Sequence, residues 1–342
     1  MGIVKAEAYG HGAAEVAGAL REEGIKRFGV ALVQEGVELR ERGFDEPILI
    51  LGYTPEEDFP LALRYGLTLT LYNLSQARAL DRYAAEAGKP AKAHIKVDTG
   101  MGRIGFQPEK TAVETIVQIA GLPNVALEGI FSHLAWADNQ ESDFTDLQFG
   151  RFQRFIADLA QAGVRFPFKH IANSAATINF PHMHLDLVRI GISLYGLCPD
   201  TQMAINPKIE LHPAMQVKAT LVHVKEVPPG TPLSYGCTFT TQRRSLIGTV
   251  PMGYADGVPR VLSNKGGVLI RGRRCPIVGR VCMDQFMVDL TDLRTAAVGD
   301  EVVFLGSQGK ENITADEIAE KAGTISYEIV TRMSDRLPRR YY

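Results

Sequence analysis

The first two-thirds of the chain repeat one pattern, in which a short apolar run is followed by an amphipathic stretch. Stretches such as "AAEVAGALREEG" and "LSQARALDRYAAEAG" have helical spacing and end at a glycine. Eight apolar runs occur, spanning 3–6, 28–32, 47–52, 67–71, 93–98, 127–132, 168–172 and 187–191. Strands that alternate with helices form parallel sheets with right-handed crossovers. Eight such strands predict a closed (β/α)8 barrel of the TIM type.

The pattern changes after about residue 208. Short β-rich runs follow, among them "MQVKATLVHVKEV" and "DEVVFLG", and one helix is indicated by "TADEIAEKAG". Thr314 and Glu317 have the spacing of a capping box at the start of that helix. The sequence therefore predicts a barrel over residues 1–208 and a mostly antiparallel β domain over residues 209–342.

Composition excludes several classes of protein. The chain has 342 residues, of which 45% are hydrophobic, which suits two domains, and its net charge of -2 argues against nucleic acid or an anionic membrane as a partner. No signal peptide opens the chain, and no window approaches the roughly 20 apolar residues of a membrane span. The four cysteines form no CxxC pair, and His182 and His184 lack a third ligand, so no metal site is predicted. We expect a cytoplasmic protein.

Charged side chains stand at the ends of several predicted strands. Lys5 ends the first, Arg103 follows the fifth, His133 follows the sixth and Arg189 lies in the eighth. The active site of such a barrel lies at the C-terminal ends of its strands, so these groups should converge. Arg189 stands between a valine and an isoleucine, and a charge in an apolar run needs a buried partner. Together the four favour a functional site over a structural one.

The loops after strands seven and eight are a frequent phosphate site in these barrels. Here they offer the Ser174 hydroxyl and the backbone N–H groups of Gly191 and Ile192. No Walker-type loop and no strand–GxGxxG–helix unit occurs, which argues against a nucleotide. A phosphate site together with Lys5 suits pyridoxal 5'-phosphate, whose aldehyde condenses with a lysine amine.

Seven motifs together resemble the alanine racemase family, in that family's order and spacing. They are "VKAEAYGHG", "KVDTGMGRIGF", "HIANSAA", "VRIGISLYG", "PMGYADG", "GRVCMDQFMVDL" and "TISYEI". The resemblance covers the chain from residue 3 to its end. It implies a pyridoxal phosphate enzyme of fold type III, a barrel with a C-terminal β domain, that acts as a head-to-tail homodimer. It also implies that alanine is racemised and that D-alanine is supplied for peptidoglycan.

The resemblance also implies roles for individual residues. Lys5 would hold the cofactor and act as one base, and Tyr254 of the partner subunit would act as the opposing base. Arg103 and the partner subunit's Met283 would bind the substrate carboxylate, and Lys96 matches a lysine that is carbamylated in some members. The positions that match cofactor contacts, besides Lys5, are Tyr9, His133, Ser174, Arg189, Gly191, Ile192 and Tyr327. Among these, Arg189 would face the pyridine nitrogen, and His133 would hydrogen-bond to Tyr254.

Three alternatives remain at this point. The first is a racemase of broader specificity, acting on serine or lysine as well. The second is a pyridoxal phosphate-binding protein without catalysis. Family members normally carry a strand and a helix before the cofactor lysine, whereas four residues precede Lys5 here. The non-catalytic alternative would hold if that leading segment is required for activity. The third is a decarboxylase of the same fold type, which the "GYADG" and "CMDQ" motifs fit poorly.

Overall fold

The computed structural model describes residues 1–203 and 209–342. The described chain divides into two compact units. The first comprises Met1–Ala8 and Gly12–His212, and the second comprises Tyr9–His11 and Pro213–Tyr342. The boundary predicted at residue 208 lies outside the described residues.

The first unit is built from seven parallel strands and the helices between them. The strands form a three-stranded sheet, β1-β2-β3, and a four-stranded sheet, β4-β5-β6-β7. Their bounds are β1 Gly2–Ile3, β2 Phe28–Val30, β3 Ile48–Ile50, β4 Leu69–Leu71, β5 Ala91–Lys96, β6 Val125–Phe131 and β7 Phe168–His170. Every residue of β1, β2, β3 and β4 is buried, as expected of parallel strands whose two faces are both covered.

Single bridges close these two sheets into a barrel. A parallel bridge joins Leu49 to Thr68, and another joins Gly2 to Ile190. The eighth predicted strand, residues 187–191, is therefore reduced to one bridged residue, although its backbone is bonded on both sides. The Arg189 amide donates to Ala172 on one side, and the Ile190 amide donates to Met1 on the other. The predicted barrel architecture is confirmed.

The barrel helices follow the amphipathic stretches. Their bounds are α1 Lys5–Gly10, α2 Ala13–Glu22, α3 Val33–Glu41, α4 Phe59–Arg64, α5 Leu74–Glu86, α6 Lys110–Ala120, α7 Phe144–Gln161 and α8 Ser174–Asn179. The glycines predicted to end α2, α5 and α7 are Gly24, Gly88 and Gly163, and all three have positive φ angles. This left-handed conformation is the one that a glycine after a helix adopts without steric cost.

The element α1 differs from the others because it is left-handed. Ala6, Glu7, Ala8 and Tyr9 have φ angles of 51°, 54°, 50° and 55°, and Gly10 has 83°. We refer to Lys5–Gly10 as the left-handed turn. The prediction that the first strand extends over residues 3–6 is wrong at its end, since β1 stops at Ile3 and Lys5 already opens the turn. A left-handed helix costs roughly 1–2 kcal/mol per non-glycine residue, so contacts elsewhere must stabilise this segment.

The second unit contains one large antiparallel sheet in the order β17-β16-β13-β14-β15-β12-β9, with β8 paired to β16, and a small β10-β11 hairpin. The bounds are β8 Val217–Thr220, β9 His223–Val227, β10 Pro232–Leu233, β11 Phe239–Thr240, β12 Ser245–Val250, β13 Gly267–Ile270, β14 Arg273–Val278, β15 Phe286–Asp289, β16 Glu301–Gln308, β17 Glu311–Ile313, α9 Ala315–Ala322 and α10 Ser326–Thr331. The expected antiparallel C-terminal domain is confirmed.

Thr314 caps α9 as predicted, because its hydroxyl accepts a hydrogen bond from the Glu317 amide. The capping box is only half formed, since the described hydrogen bonds of the Glu317 carboxylate come from Arg274 and Lys321. Within the described residues, no helix is both long and apolar enough to span a bilayer.

Candidate active site

Lys5 stands where β1 passes into the left-handed turn. Glu35, near the start of α3, binds the backbone beside it: the Ala6 amide donates to its Oε1 at 2.6 Å, and the Ala31 and Leu32 amides donate to its Oε2 at 2.7 and 3.0 Å. Burial lowers the pKa of the Lys5 amine, and the Arg103 charge lowers it further, while Glu35 acts in the opposite direction. The result is a buried amine that loses its proton more readily than an ordinary lysine.

Arg189 is buried inside the barrel, and its guanidinium is held by neutral acceptors. Nη1 donates to His170 Nδ1 at 2.8 Å, while Nη2 donates to the Ser132 and Ile171 carbonyls at 2.8 and 3.0 Å and contacts His133 Nδ1 at 3.2 Å. Burial, and secondarily Arg103, lower the pKa of Arg189 to about 9. The guanidinium therefore stays protonated at neutral pH, and the buried partner expected from the sequence is a set of uncharged acceptors.

The arginine fixes the tautomers of a chain of histidines. A guanidinium only donates, so His170 accepts at Nδ1 and carries its proton on Nε2. That Nε2 lies 2.9 Å from His94 Nδ1, which must accept, so His94 is protonated at Nε2. Burial, then Arg189, hold the pKa of His170 well below its usual range, and burial lowers that of His94 to about 3. Both rings are neutral at physiological pH.

His133 is neutral for the same reasons. Burial lowers its pKa well below 6.5, and the charges of Arg189, Arg103, Lys96 and Lys5 lower it further, in that order. Because Nδ1 faces the Arg189 guanidinium, the proton of His133 lies on Nε2. His133 can therefore donate one hydrogen bond through Nε2.

Arg103 is carried by the loop after β5, and Asp98 shapes that loop. The Gly100 and Gly102 amides both donate to Asp98 Oδ1 at 3.0 Å, and the Gln107 amide group donates to Oδ2. These bonds hold the pKa of Asp98 below its usual value, although its burial opposes them. The carboxylate thereby fixes the turn that leads to Arg103.

Lys96, the last residue of β5, is almost fully buried, and its Nζ donates to the Val97 carbonyl at 2.8 Å. Burial, then Arg189, lower its pKa to about 7. Near neutral pH a large fraction of this amine is therefore unprotonated, which makes it nucleophilic.

The candidate phosphate residues lie together. Ser174 is the first residue of α8, and Ile192 opens a 3-10 helix spanning Ile192–Tyr195. The Gly191 amide donates to Ser174 Oγ at 2.9 Å. The Ser174 hydroxyl and the Gly191 amide thus lie beside each other, where two helical segments begin. Backbone N–H groups at such positions suit an anion.

In the second unit, Tyr9 and Tyr327 are in ring contact, with centroids 6.2 Å apart. Burial raises the pKa of Tyr9 to about 12, so its phenol stays protonated and can donate a hydrogen bond. Tyr254 opens a 3-10 helix spanning Tyr254–Asp256, and Met283 lies in the adjoining loop between β14 and β15. The two residues are exposed by 42% and 53%. The Tyr254 amide donates to the Cys282 carbonyl, which precedes Met283, at 3.0 Å.

The structure thus brings together the predicted residues of each unit in the groups described above. Three residues that the motifs did not single out support these groups. His170 accepts from Arg189, Asp98 accepts from the backbone of the Arg103 loop, and Glu35 accepts from the backbone beside Lys5. His170 and Asp98 lie inside quoted motifs, so a search for the partners of Arg189 and of the Arg103 loop could have found them. Nothing in the sequence pattern around Glu35 points to the left-handed turn, because that contact is long-range.

Comparison with known families decides which family the chain belongs to. The family model for the alanine racemase N-terminal domain matches residues 1–199, and that for the alanine racemase C-terminal domain matches residues 214–341. The chain belongs to the alanine racemase family. It is 48% identical over 341 residues to the alanine racemase of Methanococcus maripaludis, covering 100% of this chain and 91% of that one. The alanine racemase of Halothermothrix orenii is also 48% identical, with 100% and 89% covered.

Solved alanine racemases have the same fold. The enzyme of Clostridium difficile 630 superposes with a TM-score of 0.93 at 42% identity, covering 98% of this chain and 86% of that one. The Bacillus anthracis enzyme, solved with bound L-Ala-P, superposes with a TM-score of 0.92 at 38% identity, with 97% and 85% covered. The resemblance that the seven motifs predicted is therefore confirmed at the level of family and fold.

Proposed function

We propose that this chain is an isomerase that interconverts L- and D-alanine with pyridoxal 5'-phosphate, using Lys5 and Tyr254 of the partner subunit as its two bases. The observation that carries the proposal is the buried Lys5 amine with a lowered pKa, at the barrel strand ends where Arg103, Arg189 and Lys96 also lie. Such a cluster suits a ligand that brings several negative charges. A phosphorylated cofactor and an amino acid carboxylate together supply them.

The donor set fits pyridoxal phosphate. When bound, the cofactor supplies an aldehyde that captures amino groups and a conjugated ring that stabilises negative charge at the substrate α-carbon. Lys5 would be the amine for that aldehyde. The Ser174 hydroxyl, the Gly191 and Ile192 amides and the phenols of Tyr9 and Tyr327 would hydrogen-bond to the phosphate. Arg189 would be the buried donor for the pyridine nitrogen.

Racemisation requires a proton to leave one face of the α-carbon and another to be added to the opposite face. Two bases must therefore flank the substrate, and each must lose its own proton near neutral pH. Lys5 suits this role better than an ordinary lysine, because burial and Arg103 lower its pKa. Tyr254 of the partner subunit would take the other role, with its phenol oxygen accepting a hydrogen bond from the neutral His133 at Nε2.

Arg189 would control how strongly the bound cofactor ring attracts electrons. It donates a hydrogen bond but keeps its own protons, since its pKa stays at about 9 and its Nη1 is bound to His170. The pyridine nitrogen facing it would stay unprotonated, and the ring would be a weaker acceptor of electrons than a pyridinium. We infer that negative charge stays close to the α-carbon, which favours return of a proton there over transamination.

Arg103 and the partner subunit's Met283 backbone would hold the substrate carboxylate. We further propose that Lys96 is carbamylated and orients Arg103. Its neutral amine attacks the carbon of CO2 and releases one proton, and the carbamate anion then lies among arginines. The carbamate carbon can be detected by ¹³C NMR after incubation with ¹³C-bicarbonate. Lys96→Met should lose this signal. Lys92→Met, which replaces a half-exposed lysine of the same strand, should keep it.

We also propose that the active unit is a head-to-tail homodimer and that it supplies D-alanine for peptidoglycan in the cytoplasm. Support for the dimer comes from Tyr254 and Met283, which are exposed on their unit although both are expected to act on a substrate. Exposed groups of this kind can contribute to an active site when a second subunit covers them.

Chiral chromatography of L-alanine incubated with the protein and pyridoxal phosphate tests the function. D-alanine should form, Lys5→Ala should abolish it, and Lys92→Ala should leave it unchanged. L-serine and L-lysine, run beside L-alanine, distinguish the broad-specificity alternative, which predicts comparable rates. Binding of pyridoxal phosphate without any product would instead favour the non-catalytic alternative and refute the proposal.

A further inference from the structure

One face of helix α7 carries polar side chains that point into the protein. Thr145, Gln148 and Arg151 are three residues apart, so they lie on the same side of the helix. Thr145 and Gln148 are fully buried, and Arg151 is half-buried. Buried polar groups require hydrogen-bond partners, and the described partners of these three lie in the loops that follow β5 and β6. The helix thus connects two loops at the C-terminal ends of the barrel strands.

Gln148 contacts both loops at once. Its Oε1 accepts a hydrogen bond from the Ala135 amide at 2.8 Å, and its Nε2 donates to the His133 carbonyl at 3.1 Å. Both of these partners lie in the loop after β6. The same Nε2 donates to the Thr99 hydroxyl oxygen, in the loop after β5, at 3.3 Å. A glutamine amide has two N–H groups, and these two acceptors use both of them. The side chain therefore links the two loops by hydrogen bonds.

The loop after β5 also packs closely on the helix. Arg151 Nη1 donates to the Thr99 carbonyl at 3.0 Å. A Cβ at Gly100 would lie 2.9 Å from the Phe144 Cζ and 3.4 Å from the Gln148 Cγ, so the backbone of the loop approaches the helix side chains as nearly as a glycine allows. The position of this loop is therefore set by its contacts with α7.

We propose that Gln148 is a positioning residue that fixes the place of the Arg103 guanidinium through Thr99. The inference rests on the proposed function, in which Arg103 binds the substrate carboxylate. Thr99 directly follows Asp98, whose carboxylate binds the next two turn amides and so closes the turn that leads to Arg103. A shift of Thr99 is therefore transmitted along a stiff turn to the guanidinium.

The effect of Gln148 should be larger on the loop after β5 than on the loop after β6. The loop after β6 has further anchors, because Arg189 Nη2 donates to the Ser132 carbonyl at 2.8 Å and Asn173 Nδ2 donates to the Leu134 carbonyl at 3.4 Å. Loss of the Gln148 amide should therefore weaken binding of the substrate carboxylate. Binding of the cofactor, whose proposed contacts come mainly from other segments, should change little.

The test compares the wild-type enzyme, loaded with pyridoxal phosphate, with Gln148→Met, Thr99→Val, the double variant and Gln153→Met. Methionine has about the length of glutamine without its hydrogen bonds, and valine replaces the threonine hydroxyl by a methyl group. Gln153 is the matched control, since it is an exposed glutamine of the same helix. Calorimetry gives the Kd of propionate, which has the carboxylate of alanine but no amine. The Kd of pyridoxal phosphate, the melting temperature, and kcat and KM for both enantiomers are measured beside it.

We expect Gln148→Met to raise the Kd of propionate and the KM of alanine by roughly tenfold, the order of effect that follows when one hydrogen bond to a charged group weakens. The KM should change more than kcat, and the Kd of pyridoxal phosphate should stay unchanged. Thr99→Val should act in the same direction and less strongly. The double variant should match Gln148→Met, because both substitutions break the same link. Gln153→Met should match the wild type.

Wild-type propionate affinity in Gln148→Met would overturn the positioning role. So would fold-changes of the two single variants that multiply in the double variant, or an equal loss of propionate and pyridoxal phosphate binding. If Gln148→Met does not fold, Thr99→Val decides alone, and its wild-type affinity for propionate would count against the proposal. A wild type that binds propionate and forms no D-alanine would overturn the proposed function, while the propionate comparison would still decide the role of Gln148.

Discussion

Exchanges between alanine and glycine should change the stability of the protein in opposite directions at two positions of the left-handed turn. Ala6 is exposed and has a φ of 51°, so Ala6→Gly loses little packing. The substitution relieves about 1–2 kcal/mol of left-handed strain. The greater freedom of glycine in the unfolded chain opposes this by about 0.4–1 kcal/mol. The folded protein should therefore gain about 1 kcal/mol of stability.

Gly10→Ala makes the reverse exchange and should be strongly destabilising. Gly10 has a φ of 83°, and a Cβ there would lie 2.2 Å from the Val330 carbonyl oxygen and 3.3 Å from the Thr331 Cα. Both obstacles are backbone atoms, which cannot rotate away. Left-handed strain of about 1–2 kcal/mol and overpacking of about 1–3 kcal/mol together give a loss of about 2–5 kcal/mol.

Thermal melting of the cofactor-free protein provides the measurement, and Gly18→Ala provides the control. Gly18 lies within the right-handed helix α2, and a Cβ there would meet no atom within 4 Å, so alanine should stabilise by about 0.5–1 kcal/mol. Ala6→Gly and Gly18→Ala should raise the melting temperature, and Gly10→Ala should lower it. A lower melting temperature for Ala6→Gly would refute the argument that the turn is strained.

Three further predictions concern the barrel interior. Glu35→Gln removes the charge that raises the pKa of Lys5, so the pH midpoint for reaction of that amine with pyridoxal phosphate, followed by absorbance, should move to lower pH. Lys96→Met should stabilise the cofactor-free protein, because a folded pKa of about 7, against 10.5 for an ordinary lysine, corresponds to a penalty of about 5 kcal/mol. The unfolded chain binds that proton between pH 7 and 10.5 while the folded protein does not, so the gain in denaturant midpoint should be full below pH 7 and vanish towards pH 10.5. Gly129→Ala should lower the melting temperature by displacing His94, whose ring atoms would lie 2.5–2.9 Å from the new Cβ, and a gain in stability would contradict this.

Much of the barrel could be predicted from the sequence because parallel strands and amphipathic helices leave strong periodic patterns. Residues 187–191 fit the pattern of a strand, yet only Ile190 forms a bridge. The pattern reports that the segment is apolar and buried, but pairing also depends on the path of its two neighbours. The left-handed turn was harder to predict, since alanine and glutamate favour right-handed helices. Hydrogen bonds that hold the turn come from Glu35 and Arg339, which are distant in the sequence.

The candidate site was predictable where residues lie in the quoted motifs and less so where partners come from elsewhere. Arg189 was expected to need a buried partner, and the structure supplies His170 with two carbonyl groups. A carboxylate partner could have been sought among the acidic residues of the sequence, whereas a neutral histidine and backbone carbonyl groups cannot be singled out in this way.

The barrel wall consists of a three-stranded and a four-stranded sheet, and two seams, at Leu49–Thr68 and Gly2–Ile190, have a single bridge each. Residues 187–191 belong to neither sheet and are joined to the segment after β7 by the bond from the Arg189 amide to Ala172. Between β5 and β6 six residue pairs resist separation, but each seam has a single pair. Local opening of the barrel should therefore begin at the seams, and each of the two sheets should unfold as a cooperative unit. Deuterium should reach the Thr68 and Ile190 amides before it reaches those of the β5–β6 ladder. The barrel is therefore not equally stable around its wall: its two sheets are well paired, and the junctions between them are weakly paired.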